Sequence, residues 1–97
     1  MKITLEEANR IAKGALAEAV ARNIKINVAV CDVGGRLVAF QRMDDAMWAG
    51  AYGSQGKAVA SASFGVPSGN LAERAEHPTV RAIREHEGNH MIFGQGA

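Results

Sequence analysis

The apolar spacing of this chain changes period at Asn23, helical before it and alternating after it, and that change constrains the fold more than any other feature. Upstream, Thr4 followed three residues later by Glu7 forms a capping box, and Ile3 can staple against Ala8. A helix is therefore expected from Leu5 to Arg22. Ala8, Ile11, Ala12, Ala15, Leu16, Ala19 and Val20 share one stripe of it, and Asn23 is suited to a left-handed stop. Downstream, Ile24, Ile26, Val28 and Val30 alternate with Lys25, Asn27, Ala29 and Cys31, the pattern of a strand with one apolar and one mixed face. Asp32-Val33-Gly34-Gly35 supplies a tight turn, and a second strand is expected from Arg36 to Met43.

After the hairpin the signals weaken. Asp44 and Asp45 can cap a helix from about Ala46 through Ser63, although Gly50, Gly53 and Gly56 lower its propensity. Small residues at those positions suit close packing or a ligand. Gly65-Val66-Pro67 ends that helix, and Ser68 can cap a short turn through Arg74. His77-Pro78 opens a last helix that Gly88 closes. His90-Met91-Ile92-Phe93 reads as a third strand, with Gly94-Gln95-Gly96-Ala97 after it and no further element.

The 97 residues suffice for one α+β domain, residues 1–97, because two halves would each be too small to bury a core. Although 47% of residues are hydrophobic, only 5% are aromatic, so much of the apolar content is small aliphatic side chains that bury little area each. Modest monomer stability follows. Eleven basic residues against ten acidic leave a net charge of +1, with no basic cluster longer than a dipeptide, which argues against nucleic acid and anionic membrane as partners. One cysteine, Cys31, excludes an intrachain disulfide and a cysteine-rich zinc site. A cytoplasmic location is expected, as no secretory leader or eighteen-residue apolar span is visible.

The ordered series of helix, strand, Asp-x-Gly-Gly turn, strand, Arg42-Met43-Asp44 and an alanine-rich helix with Gly56-Lys57-Ala58 resembles the GlcG/HbpS-like family of small α/β proteins. Leu37, Val38 and Phe64-Gly65 add to the match, which covers roughly residues 3 to 93. The resemblance implies a profilin-like fold, an antiparallel sheet with helices packed on it, usually assembled as dimers or larger oligomers. It also implies haem as a cofactor, because relatives include haem-binding and haem-degrading proteins. Others are a glycolate-utilisation protein and a domain attached to cobalamin adenosyltransferases. The family pattern continues past the position of Phe93 with Gly-Gly-x-Pro-Ile and a last strand beside the first. Ending at Ala97, this chain is expected to be truncated at its C-terminus and to leave the edge from Ile24 to Asp32 open to another chain.

Arg42, Asp44, Lys57 and His90 are the candidate ligand-binding residues. Arg42 and Asp44 leave the second strand, and Lys57 interrupts the alanine-rich helix facing it; such cations can hold a carboxylate or a haem propionate. The competing reading is an Arg42–Asp44 or Lys57–Asp45 salt bridge. His90, or a methionine among Met43, Met47 and Met91, is a candidate axial haem ligand, against the common role of methionine as a core filler. His86 and His90 have chelating spacing, but Gly88 between them breaks the helix, so no metal site is expected. No catalytic residue is assigned: the serines lack a histidine or acid at motif spacing, and Gly-x-Ser-x-Gly is absent. Three functions follow, in order: a small-molecule or cofactor-binding domain taking a small anionic ligand or haem, a non-catalytic oligomerising accessory protein, and an enzyme acting on a small organic acid. A homo-oligomer, dimeric or even-numbered, is the expected assembly.

Overall fold

The computed structural model describes residues 2–88 and 90–94, and the expectation for the ending beyond Gly94 lies outside them. Helix α1 spans Leu5–Ala21, and its capping box is formed: Glu7 N donates to Thr4 Oγ1 at 3.0 Å and Thr4 N to Glu7 Oε1 at 3.0 Å. Asn23, at φ 55°, makes the left-handed stop read from the sequence. Strands β1 (Asn27–Cys31) and β2 (Leu37–Arg42) pair antiparallel, with Ala29 opposite Phe40 and an irregularity between Val30 and Cys31. The turn between them is held by Asp32, whose Oδ1 accepts from Gly34 N at 2.9 Å and Arg36 N at 3.0 Å. Gly35 takes φ 75°, a conformation that a side chain would strain.

Helix α2 spans Ala49–Phe64, a 3₁₀ helix Ser68–Arg74, and α3 Pro78–His86. Helix α1 and the hairpin share one core cluster, Ala8, Ala12, Val30 and Ala39, with Ile3, Val28 and Val38 packed around it. Helix α2 lies against β1 on the side carrying Asn27, whose Nδ2 donates to Met47 O at 3.0 Å. A second cluster, Ala60, Leu71 and Met91 with Val59, Phe64, Val66 and Phe93, joins α2 to the 3₁₀ helix and the final segment. The class is α+β. No helix among the described residues is long and apolar enough to cross a membrane.

Two expectations are corrected, and the stripe on α1 is buried only in part. Asp44 and Asp45 do not cap α2: they form a turn with Asp45 at φ 66°, whereas a capping residue needs extended backbone, and the helix begins three residues later than expected, after Trp48. His90–Phe93 is not a strand, because it meets α2 and not a sheet edge; Ile92 N donates to Gly56 O at 3.0 Å. On α1 the alanines make the contact with the sheet, while Ile11 and Val20 stay 53% and 68% exposed. Small side chains bring the helix close and leave the larger ones at its flanks.

Candidate functional site

The start of β2, α2 and the segment after α3 enclose a cleft of about 400 Å³. Its apolar wall is Val59 of α2 and Ile92 of the final segment, brought together over Gly56. A Cβ at Gly56 would lie 2.5 Å from Ile92 Cγ1, so only glycine lets the segment cross the helix there. Polar groups converge from three elements: Arg36 beside the hairpin turn, Tyr52 and Gln55 on α2, and Glu87 and His90 beyond α3. Arg36 Nη1 donates to Gly34 O at 3.4 Å, and Gln55 Nε2 to Ala51 O at 3.1 Å, which restrains both side chains. The His90 ring folds back toward Gly88, where a Cβ would meet Nε2 at 3.3 Å. At the rim Trp48 and Tyr52 pack edge to face, centroids 5.9 Å apart, and both are exposed.

Of the four residues singled out from sequence, His90 lines this cleft. Arg42 and Asp44 are exposed at the opposite end of β2, with Arg42 registered against Asn27. Lys57 is half-buried on α2, its Cε 3.4 Å from the Cβ position of Gly94. The cleft is formed without these three. Neither Arg42–Asp44 nor Lys57–Asp45 is among the ion pairs of the described residues, all of which join exposed side chains on α1, or on α3 and the turn before it. Arg36, Tyr52, Gln55 and Glu87 were not singled out from sequence. The signal that could have found them is Gly56, since a glycine inside an alanine-rich helix marks a close approach of another segment.

His86 ends α3 one turn before His90, and Gly88 at φ 74° separates them. Burial and the Asp32 carboxylate push the Cys31 thiol up from its ordinary value, which keeps it protonated at neutral pH. The cleft therefore offers an imidazole, a guanidinium, a carboxylate, a phenol and an amide around an apolar wall. That set suits binding and orientation of a ligand with both apolar and anionic parts.

The model of a family described as "Haem degrading protein HbpS-like" matches residues 3–97. No match was found among curated proteins.

Proposed function

The chain belongs to the HbpS-like family, and from that premise we propose that it is a ligand-binding domain whose cleft beside α2 takes a haem-type tetrapyrrole. The observation that carries the reading is the convergence of His90, Arg36 and an apolar wall on one cleft of about 400 Å³. An imidazole is the commonest protein ligand to haem iron, and a guanidinium forks onto a propionate carboxylate. Val59 and Ile92 offer the apolar surface that a macrocycle face needs, with the Tyr52 ring at the mouth. Haem here is cargo or substrate; its iron supplies any redox chemistry, and the chain's own residues bind and orient it. The volume falls in the range of small-molecule sites, and its open side leaves part of the ring in solvent. With the family goes a profilin-like sheet, a reading supported by the antiparallel hairpin with helices packed on it.

Titration of the purified chain with hemin tests the proposal. A saturable Soret shift is expected, its axial signature lost in His90→Ala, with affinity reduced roughly tenfold in Arg36→Ala as one charge-assisted contact goes. Arg42→Ala combined with Lys57→Ala separates the two anion sites: unchanged affinity is expected if the propionates meet Arg36. Absence of saturable binding at micromolar protein sinks the haem reading.

A further inference from the structure

The chain holds one tryptophan and one tyrosine, and both stand at the mouth of the cleft beside α2. Trp48, Tyr52, Gly56 and Val59 recur at helical spacing, so they share one face of α2 and of the residue that opens it. Tyr52, Gly56 and Val59 line the cleft. Trp48 packs against Tyr52 edge to face, with ring centroids 5.9 Å apart and planes at 79°. The cleft wall thus continues into an aromatic pair outside it.

Folding alone does not account for either ring. Trp48 is 66% exposed and Tyr52 68%. An aromatic side chain can bury about 150–250 Å² in a core, yet both core clusters are built without these two. Trp48 also occupies the N-cap of α2, where serine, threonine, aspartate or asparagine would bond a free amide, and its side chain makes no capping bond. A position that breaks a local rule with no gain in folding is where a functional demand is expected. In the T-shaped pair each ring keeps at least one open face, because an edge covers only one face of its neighbour.

We propose that Trp48 and Tyr52 form a stacking shelf for the part of a planar conjugated ring that projects from the cleft, and that the shelf makes the site selective for flat rings over flexible apolar anions. The shelf rests on the cleft being a tetrapyrrole site. A cavity of about 400 Å³ lies toward the small end of ligand sites, so a macrocycle seated on Val59 and Ile92 extends past the mouth. Tyr52 stands at that mouth, and Trp48 continues the surface one turn, about 5.4 Å, further along the helix axis. An aliphatic chain presents no π face and gains little from such a shelf. The Arg36 guanidinium is open to the carboxylate of either ligand. Charge therefore selects anions, and the two rings select among them.

Metal-free protoporphyrin is the first probe, because it has the flat ring and both propionates but no iron for His90 to hold. The single tryptophan gives one indole N–H signal in heteronuclear NMR, and a stacked macrocycle is expected to displace it strongly upfield through its ring current. In absorbance titrations Trp48→Leu should weaken both protoporphyrin and hemin roughly tenfold. Trp48→Phe should recover most of that loss, with the axial signature of hemin unchanged. Dodecanoate is the flexible control: it should bind more weakly than either porphyrin, and to the same extent in the natural chain and in Trp48→Leu. Because Trp48 is exposed, the variant's circular dichroism and melting should match those of the natural chain. Three results overturn the shelf and leave the tetrapyrrole cleft standing: an unmoved indole signal in the saturated complex, an unchanged porphyrin affinity in Trp48→Leu, or an equal loss for dodecanoate. Failure of both porphyrins to bind the natural chain overturns the cleft as a tetrapyrrole site, and the shelf with it.

Discussion

Gly56 carries two demands at once: its carbonyl accepts from Ile92 N, and its missing side chain admits Ile92 Cγ1, Cδ1 and Cβ to within 2.8 Å of where a Cβ would stand. Because the Ile92 Cβ itself is that near, a rotamer change cannot relieve Gly56→Ala, and the backbone of the final segment must shift. Overpacking of this kind costs about 1–3 kcal/mol, against a gain of roughly 1 kcal/mol in helix propensity. Net destabilisation is expected in urea unfolding, with Ile92→Ala recovering part of it in the Gly56→Ala background, the sign of direct coupling. Thr4→Ala should cost about 1 kcal/mol by removing the α1 cap. The Thr4 backbone N–H holds the Glu7 carboxyl below its ordinary 4.5. A carboxyl depressed in the folded state stabilises fully above its unfolded value and loses that contribution as pH falls through the lowered one. The difference in melting temperature between the natural chain and Glu7→Ala should accordingly persist at pH 7 and shrink below 4.5.

At the scale of elements, α1 meets the hairpin through Ala8 and Ala12, neither of which is exposed at all. Ala12→Leu should therefore destabilise by about 1–3 kcal/mol, since three added carbons must separate helix from sheet. Chemical denaturation would show it; a stability equal to the natural chain's would mean that α1 sits more loosely than the contact implies. The helix, its cap and the hairpin were legible because local signals fix them: a capping box, an alternating run and an Asp-x-Gly-Gly turn. Which stripe residues touch the sheet was not legible, because periodicity marks a face and not the depth to which helix and sheet approach. The run His90–Phe93 was read as a strand from composition, yet a strand needs a free neighbouring edge, and tertiary contact with Gly56 placed it on a helix instead. Asp44 and Asp45 were misread for a related reason. Carboxylates that favour caps also favour turns, and only the left-handed backbone at Asp45 decides between them.

At the scale of the molecule, the described residues form two small clusters that share the work of a core, and α3 belongs to neither. It has no buried residue. Arg84 ties it down: Nη1 donates to Ala75 O at 3.2 Å, and the guanidinium lies 4.7 Å from the Phe93 ring centroid. The candidate site depends on this tether, because Glu87 and His90 follow α3 directly, and nothing in the spacing of the sequence linked Arg84 to a phenylalanine nine residues on. A single cation–π contact and one hydrogen bond together hold an exposed helix by only ~1–2 kcal/mol. Amides of Thr79–His86 should consequently exchange through local opening, well before those around Ala12 in α1. Arg84→Ala is expected to raise α3 exchange further while leaving α1 and the hairpin unchanged, and to weaken hemin binding by releasing His90. Native-state hydrogen exchange decides the point. If α3 and α1 amides exchange together, the chain unfolds as one unit and the cleft is held by more than the Arg84 tether.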